Sequence, residues 1–110
     1  MLSGLLSLLA APAQAETIHD VVSATWPAEL VPVAEQIVYH EGGGITNDGY
    51  CGWGIIPSTA AIYNVNVYGG PYYCSEKAYE IYVAAGYSFW PWTTAYYYTP
   101  GAQYTEISYY

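Results

Sequence analysis

The residues best suited to chemistry lie near the middle of the chain. Glu41 is followed at once by Gly42-Gly43-Gly44, a run that stops a helix. Val33, Ala34, Ile37 and Val38 precede it at helical spacing, and Glu41 extends the same stripe. The carboxylate therefore belongs to the last turn of a helix, on its apolar side. The helix dipole and apolar neighbours both disfavour an anion there. A carboxyl group that keeps its proton is what general acid catalysis requires. The competing reading is a surface glutamate that merely ends a helix. Asp48 is the nearest second carboxylate, but Asn47-Asp48-Gly49 also reads as an ordinary turn. His40 falls on the helix surface and His19 in a flexible start.

The elements that must position these groups follow from the pattern. Trp26-Pro27-Ala28-Glu29-Leu30 opens the ordered domain, with Thr25 as N-cap. Pro32 cannot sit within a good helix, so a new helix begins there and runs to about His40 or Glu41. Cys51-Gly52-Trp53-Gly54-Ile55-Ile56-Pro57 is apolar and glycine-interrupted, as in a tight strand or bend. A short helix capped by Ser58 runs to Tyr63, and 64–73 reads as loop. A further helix covers about Glu76 to Ala85, with Ser75 as N-cap and Gly86 as terminator. Its core stripe is Ala78, Ile81, Tyr82 and Ala85. Pro100-Gly101 between two β-prone runs predicts a C-terminal hairpin. The fold class is α+β, mostly α, with a short β or turn segment after the Glu41 helix.

Composition narrows the function. The chain has 110 residues, enough for one domain. Apolar residues make up 54 % and charged residues 9 %, which sets it apart from disordered chains. Nine acidic residues face one basic residue, Lys77, for a formal net charge of −8. Phosphate neutralisation needs Lys and Arg, so nucleic acid is excluded as a partner. A polybasic membrane-surface role is excluded on the same ground. The chain carries fifteen tyrosines and four tryptophans. It suits a small folded domain that recognises something neutral or performs acid chemistry.

Residues 1–15 read as a secretory signal. An apolar run leads to Ala13-Gln14-Ala15, a small-x-small cleavage site, and polar residues follow. The run is too short to span a bilayer, so no stable membrane insertion is expected after its removal. The alternative is an N-terminal core helix. Residues 16–110 then form the mature domain, with a tyrosine-rich segment from about 94. Secretion exposes Cys51 and Cys74 to an oxidising compartment, where one bridge is the expected state. Two free buried thiols are the alternative. A metal centre is not expected, since two Cys and two scattered His lack ligand spacing, and no cofactor is called for.

The stretch Ile37-Val38-Tyr39-His40-Glu41-Gly42-Gly43-Gly44 resembles the "helix, Glu, Ser, Gly-Gly" signature of lysozyme-like lytic transglycosylases. Asn47 and then Gly49-Tyr50-Cys51-Gly52-Trp53-Gly54-Ile55-Ile56-Pro57 continue the order. Ala78-Tyr79-Glu80-Ile81-Tyr82 and Ala85-Gly86-Tyr87-Ser88-Phe89-Trp90-Pro91-Trp92 resemble its closing segment. Resuscitation-promoting factors and phage-tail lysozyme domains are similar. The resemblance spans roughly Trp26 to Thr93. It departs at two positions: Gly42 replaces the family's serine, and Gly54 takes the place of its glutamine.

The resemblance implies a small lysozyme-like domain that cleaves the β-1,4 bond between N-acetylmuramic acid and N-acetylglucosamine. Glu41 would be the catalytic acid. Trp53 and Tyr50 would dry it, and the partner would be the glycan strands of peptidoglycan outside the cell. Aromatic rings pack on the C–H faces of sugars, so Tyr50, Trp53, Trp90 and Trp92 are expected to line the groove, with Asp48 nearby. For Trp90 and Trp92 core packing is the competing reading. Two alternatives remain at this level: a non-catalytic glycan-binding module of the same fold, and a tyrosine-rich surface or capsid-associated protein.

Overall fold

The computed structural model describes residues 16–92 and Ala95. The signal segment, the C-terminal hairpin and nearly all of the tyrosine-rich segment lie outside the described residues. Among the described residues there are four α-helices and one 3₁₀ turn: α1 Ile18–Thr25, the 3₁₀ turn Ala28–Leu30, α2 Val31–Gly42, α3 Pro57–Tyr63 and α4 Pro71–Ala84. Among the described residues there is no extended strand. The segment after α2 is a succession of turns, so of the strand and the bend that the sequence left open, the bend is the one found. Six glycines fall in 42–54, and period-2 side-chain packing cannot be sustained through them.

Helix α1 is absent from the sequence reading. Thr17 caps it through a capping box: its hydroxyl accepts from the Asp20 amide, and the Asp20 carboxylate accepts from the Thr17 amide. Ile18, Val21 and Val22 are fully buried and seat α1 against both α2 and α4. The eight-residue helix is too short to stand alone, so tertiary packing sustains it. His19 is therefore not in a flexible start. Its Nδ1 lies 2.5 Å from Oε2 of the buried Glu35 on α2. Thr25 does not cap the following segment. It ends α1, and its hydroxyl donates to Val21 O at 2.8 Å and meets Ser75 Oγ at 2.6 Å.

The Glu41 helix begins at Val31, one residue before the expected start, with Pro32 in its first turn. It ends where expected. Gly43 is left-handed (φ 58°), and its N–H bonds back to Tyr39 O and Val38 O. Helix α4 begins at Pro71, one turn earlier than the expected Ser75 cap, and Ser75 is fully buried inside it. The Pro71 ring preorganises the first turn, and Gly70 (φ 96°) turns the chain into it. Helix α3 likewise begins at Pro57, with no side-chain cap from Ser58.

Aromatic rings form much of the core. Trp26 is sandwiched between Trp53 (centroids 5.5 Å) and Phe89 (5.8 Å), nearly parallel to both. Tyr82 packs on Phe89 at 4.5 Å, and Trp92 meets Trp53 edge-on at 6.1 Å. The Trp26 indole N–H donates to Ser75 O, and the Trp92 indole N–H donates to Trp53 O at 2.7 Å. Each ring thus buries a large apolar area while its polar atom stays paired.

Cys51 and Cys74 form a disulfide, both fully buried, that ties the turn segment to α4. Of the two states left open by the sequence, the bridge is the one found. The double variant Cys51→Ala/Cys74→Ala is expected to lose about 3 kcal/mol of stability. That corresponds to a fall of roughly 10–20 °C in Tm. Thermal unfolding followed by circular dichroism checks this, and an unchanged Tm would count against it.

At the start of the described chain, the Tyr72 hydroxyl donates to the Glu16 carboxylate. This bond holds the Tyr72 phenol above the usual tyrosine range. The folded value exceeds the unfolded one. The contact therefore stabilises below the ordinary tyrosine pKa and is lost as pH rises through the raised folded value. A Glu16→Gln variant is expected to bring the Tyr72 titration down, as read from its ¹³Cζ resonance. At the other end of the pH scale, the Asp20 carboxylate is held below its ordinary value, first by the Thr17 amide and then by the Thr17 hydroxyl. Its contribution is present above the ordinary aspartate pKa and is lost as pH falls through the lowered one.

Candidate functional site

The site is built on the end of α2 and the glycine-rich turns that follow. Glu41 is half-buried in the last turn of α2. The chain then reverses, with Ile45 N–H bonding to Gly42 O at 2.9 Å. It comes back so close that the two backbones touch. A Cβ on Gly42 would lie 2.7 Å from the Gly52 Cα and 2.8 Å from its carbonyl carbon. A Cβ on Gly52 would lie 2.7 Å from Ile45 O. Only glycine at both positions allows this approach.

Two residues further on, Gly54 (φ +66°) lies beneath the Glu41 side chain. A Cβ there would fall 2.8 Å from the Glu41 carboxyl carbon and closer still to Oε1. The carboxylate thus rests in the space that any other residue at 54 would fill. Gly54 also lines a cavity of about 120 Å³, together with Ile55, Ile56, Thr59, Ile81, Pro91 and Trp92. One glycine is therefore shared by the carboxylate and the wall of a cleft. The walls mix apolar side chains with Thr59 and backbone.

Asp48 organises this loop. Its Oδ1 accepts from the Tyr50 amide at 2.8 Å and the Gly52 amide at 3.1 Å. Tyr50 O in turn accepts from the amides of Trp53 and Ile55. The carboxylate is thus engaged in an Asx turn, in keeping with the turn reading of Asn47-Asp48-Gly49.

The expected groove aromatics divide into two pairs. Trp53 is 0 % exposed and Trp92 3 % exposed. Trp53 offers no ring face to a ligand: it is part of the core stack, and its expected place in a groove is corrected. Trp92 is core as well, though it also borders the cavity. Tyr50 is 45 % exposed and Trp90 68 % exposed, so both rings are accessible. Trp90 adjoins the cavity residues Pro91 and Trp92 in the chain. The sequence reading missed Ile56, Thr59, Ile81 and Pro91 as cavity walls. Nothing in their types marks them, since cavity walls and core share the same apolar composition. The tight contacts at Gly42 and Gly54 were legible only as departures from a family pattern.

Among the described residues no three of His, Cys, Asp and Glu converge in a metal-binding group, and no helix is long and apolar enough to cross a membrane. No family model, curated protein or solved structure matches the chain.

Proposed function

We propose that this protein is a peptidoglycan-cleaving glycosidase or lytic transglycosylase, a small secreted domain of lysozyme-like type, with Glu41 as general acid. The observation that carries this reading is the seating of the Glu41 carboxylate on Gly54, a residue that also walls the adjacent cleft. The resemblance of Ile37–Gly44 and Gly49–Pro57 to lytic transglycosylase motifs supports it.

In the proposed reaction Glu41 gives its proton to the glycosidic oxygen as the C–O bond breaks and oxocarbenium character develops. The resulting carboxylate then takes a proton from the group that closes the reaction, either a water or the 6-hydroxyl of the muramic acid residue. Asp48 is occupied by two backbone amides, which suits a mechanism with one carboxylate. Trp90 and Tyr50 are the accessible rings on which sugar C–H faces would pack.

Mass spectrometry of a peptidoglycan digest tests this. Muropeptides cut at the N-acetylmuramic acid end are expected, and the anhydro or reducing terminus identifies which nucleophile closed the reaction. If glycan strands bind without being cut, the chain is instead a glycan-binding module. If they neither bind nor are cut, the reading fails.

A further inference from the structure

A second chemical constellation lies on α1, outside the Glu41 site. His19 and Ser23 are four residues apart, so they share one face of the helix. Ser23 Oγ lies 3.3 Å from His19 Nε2. The other ring nitrogen, Nδ1, lies 2.5 Å from Oε2 of Glu35. Glu35 is 4 % exposed, on the α2 face that packs against α1. Ser23 is exposed, and the His19 side chain is 47 % exposed.

The order of contacts determines the roles. A carboxylate at Glu35 accepts a hydrogen bond from Nδ1–H, the tautomer in which Nε2 carries no hydrogen. Nε2 is then the acceptor, and it faces the Ser23 hydroxyl. A serine within reach of a histidine that is itself oriented by a carboxylate is the signature of an activated nucleophile. The carboxylate is held on one packed helix and the other two groups on another, so the relay is built on rigid elements.

We propose that Ser23 is a nucleophile with His19 as its general base and Glu35 as the residue that positions His19. The substrate class is activated carboxylic esters. Ser23 Oγ forms a bond to the acyl carbon, and its proton passes to His19 Nε2. The ester C–O bond breaks, and the leaving alkoxide takes that proton. Water repeats the sequence on the acyl-serine and releases the acid. Two of the amides nearby are already engaged: Asp20 N–H bonds to the Thr17 hydroxyl and Val21 N–H to Thr17 O. With the oxyanion left mainly to water, the site is limited to esters with good leaving groups rather than amides.

A fluorophosphonate probe tests the proposal on the full chain without reference to any glycan. Phosphorus bonds to Ser23 Oγ and fluoride leaves. One adduct is expected, located at Ser23 by peptide mass spectrometry and absent from Ser23→Ala. The labelling rate is expected to fall at least about tenfold in His19→Gln and in Glu35→Gln. No adduct, an adduct at another serine, or an undiminished rate in His19→Gln overturns the proposal. His19 and Ser23 are solvent-facing, so their variants decide the matter even where loss of the buried Glu35 charge unfolds the chain. Cleavage of peptidoglycan is expected to be unchanged in Ser23→Ala, so the two sites stand or fall separately.

Discussion

Replacing Glu41 with glutamine is expected to lower the rate of glycan cleavage by about 10²–10⁴-fold. Glutamine matches glutamate in shape, so it still fits over Gly54. It holds no proton that it can give to a glycosidic oxygen. The folded structure should persist, because α2 ends on the Gly43 cap and the Gly42–Gly52 contact rather than on the Glu41 charge. A gel overlay with embedded peptidoglycan, scored beside a melting curve, separates lost chemistry from lost fold. Clearing at the wild-type rate would remove Glu41 from the mechanism. Retained binding without clearing is the expected phenotype.

Gly54→Ala should produce the second large effect, through geometry rather than charge. The new methyl group would occupy the place of the Glu41 carboxylate, with its Cβ 2.8 Å from Cδ. The side chain must swing away, and displacement of a catalytic group by about 1 Å costs on the order of 10²-fold in rate. The expected loss is in kcat, with KM little changed. A left-handed backbone also penalises alanine by roughly 1–2 kcal/mol. Gly86→Ala separates the two causes. Gly86 has φ +83° with nothing within 4 Å of a built Cβ. It should show the backbone penalty in its Tm and keep full activity. Equal activity losses in both variants would mean that strain, not the displaced carboxylate, is responsible.

Neither Gly42 nor Gly54 has room for a side chain. A serine at 42 would drive its Cβ into the Gly52 backbone, and a glutamine at 54 would displace Glu41. The reason lies in distances between residues that are far apart along the chain.

Legibility followed the range of the interactions. The end of α2 was read correctly because a glycine run after an apolar stripe is a local signal, and the left-handed Gly43 cap makes it so. The start of α4 was misread because Ser75 looks like a cap, whereas burial against Thr25 and Trp26 makes it a core residue. Helix α1 was missed because eight residues have little helical preference of their own. The Thr17-x-x-Asp20 capping box was its only local mark.

By itself the sequence determined the acidic character of the chain, the boundaries that glycine and proline impose, and a carboxylate at the end of an apolar helix. All of these are properties of single residues or of neighbours within a few positions. Only the tertiary structure decided which aromatic rings are core and which are accessible. Trp53 and Trp90 are the same residue type, yet one is sealed and the other is mostly exposed. Burial depends on what packs from elsewhere in the chain. The same holds for Glu41 over Gly54 and for the Ser23–His19–Glu35 relay. The Glu41–Gly54 and His19–Glu35 contacts form where separate segments meet, and no local pattern encodes that meeting.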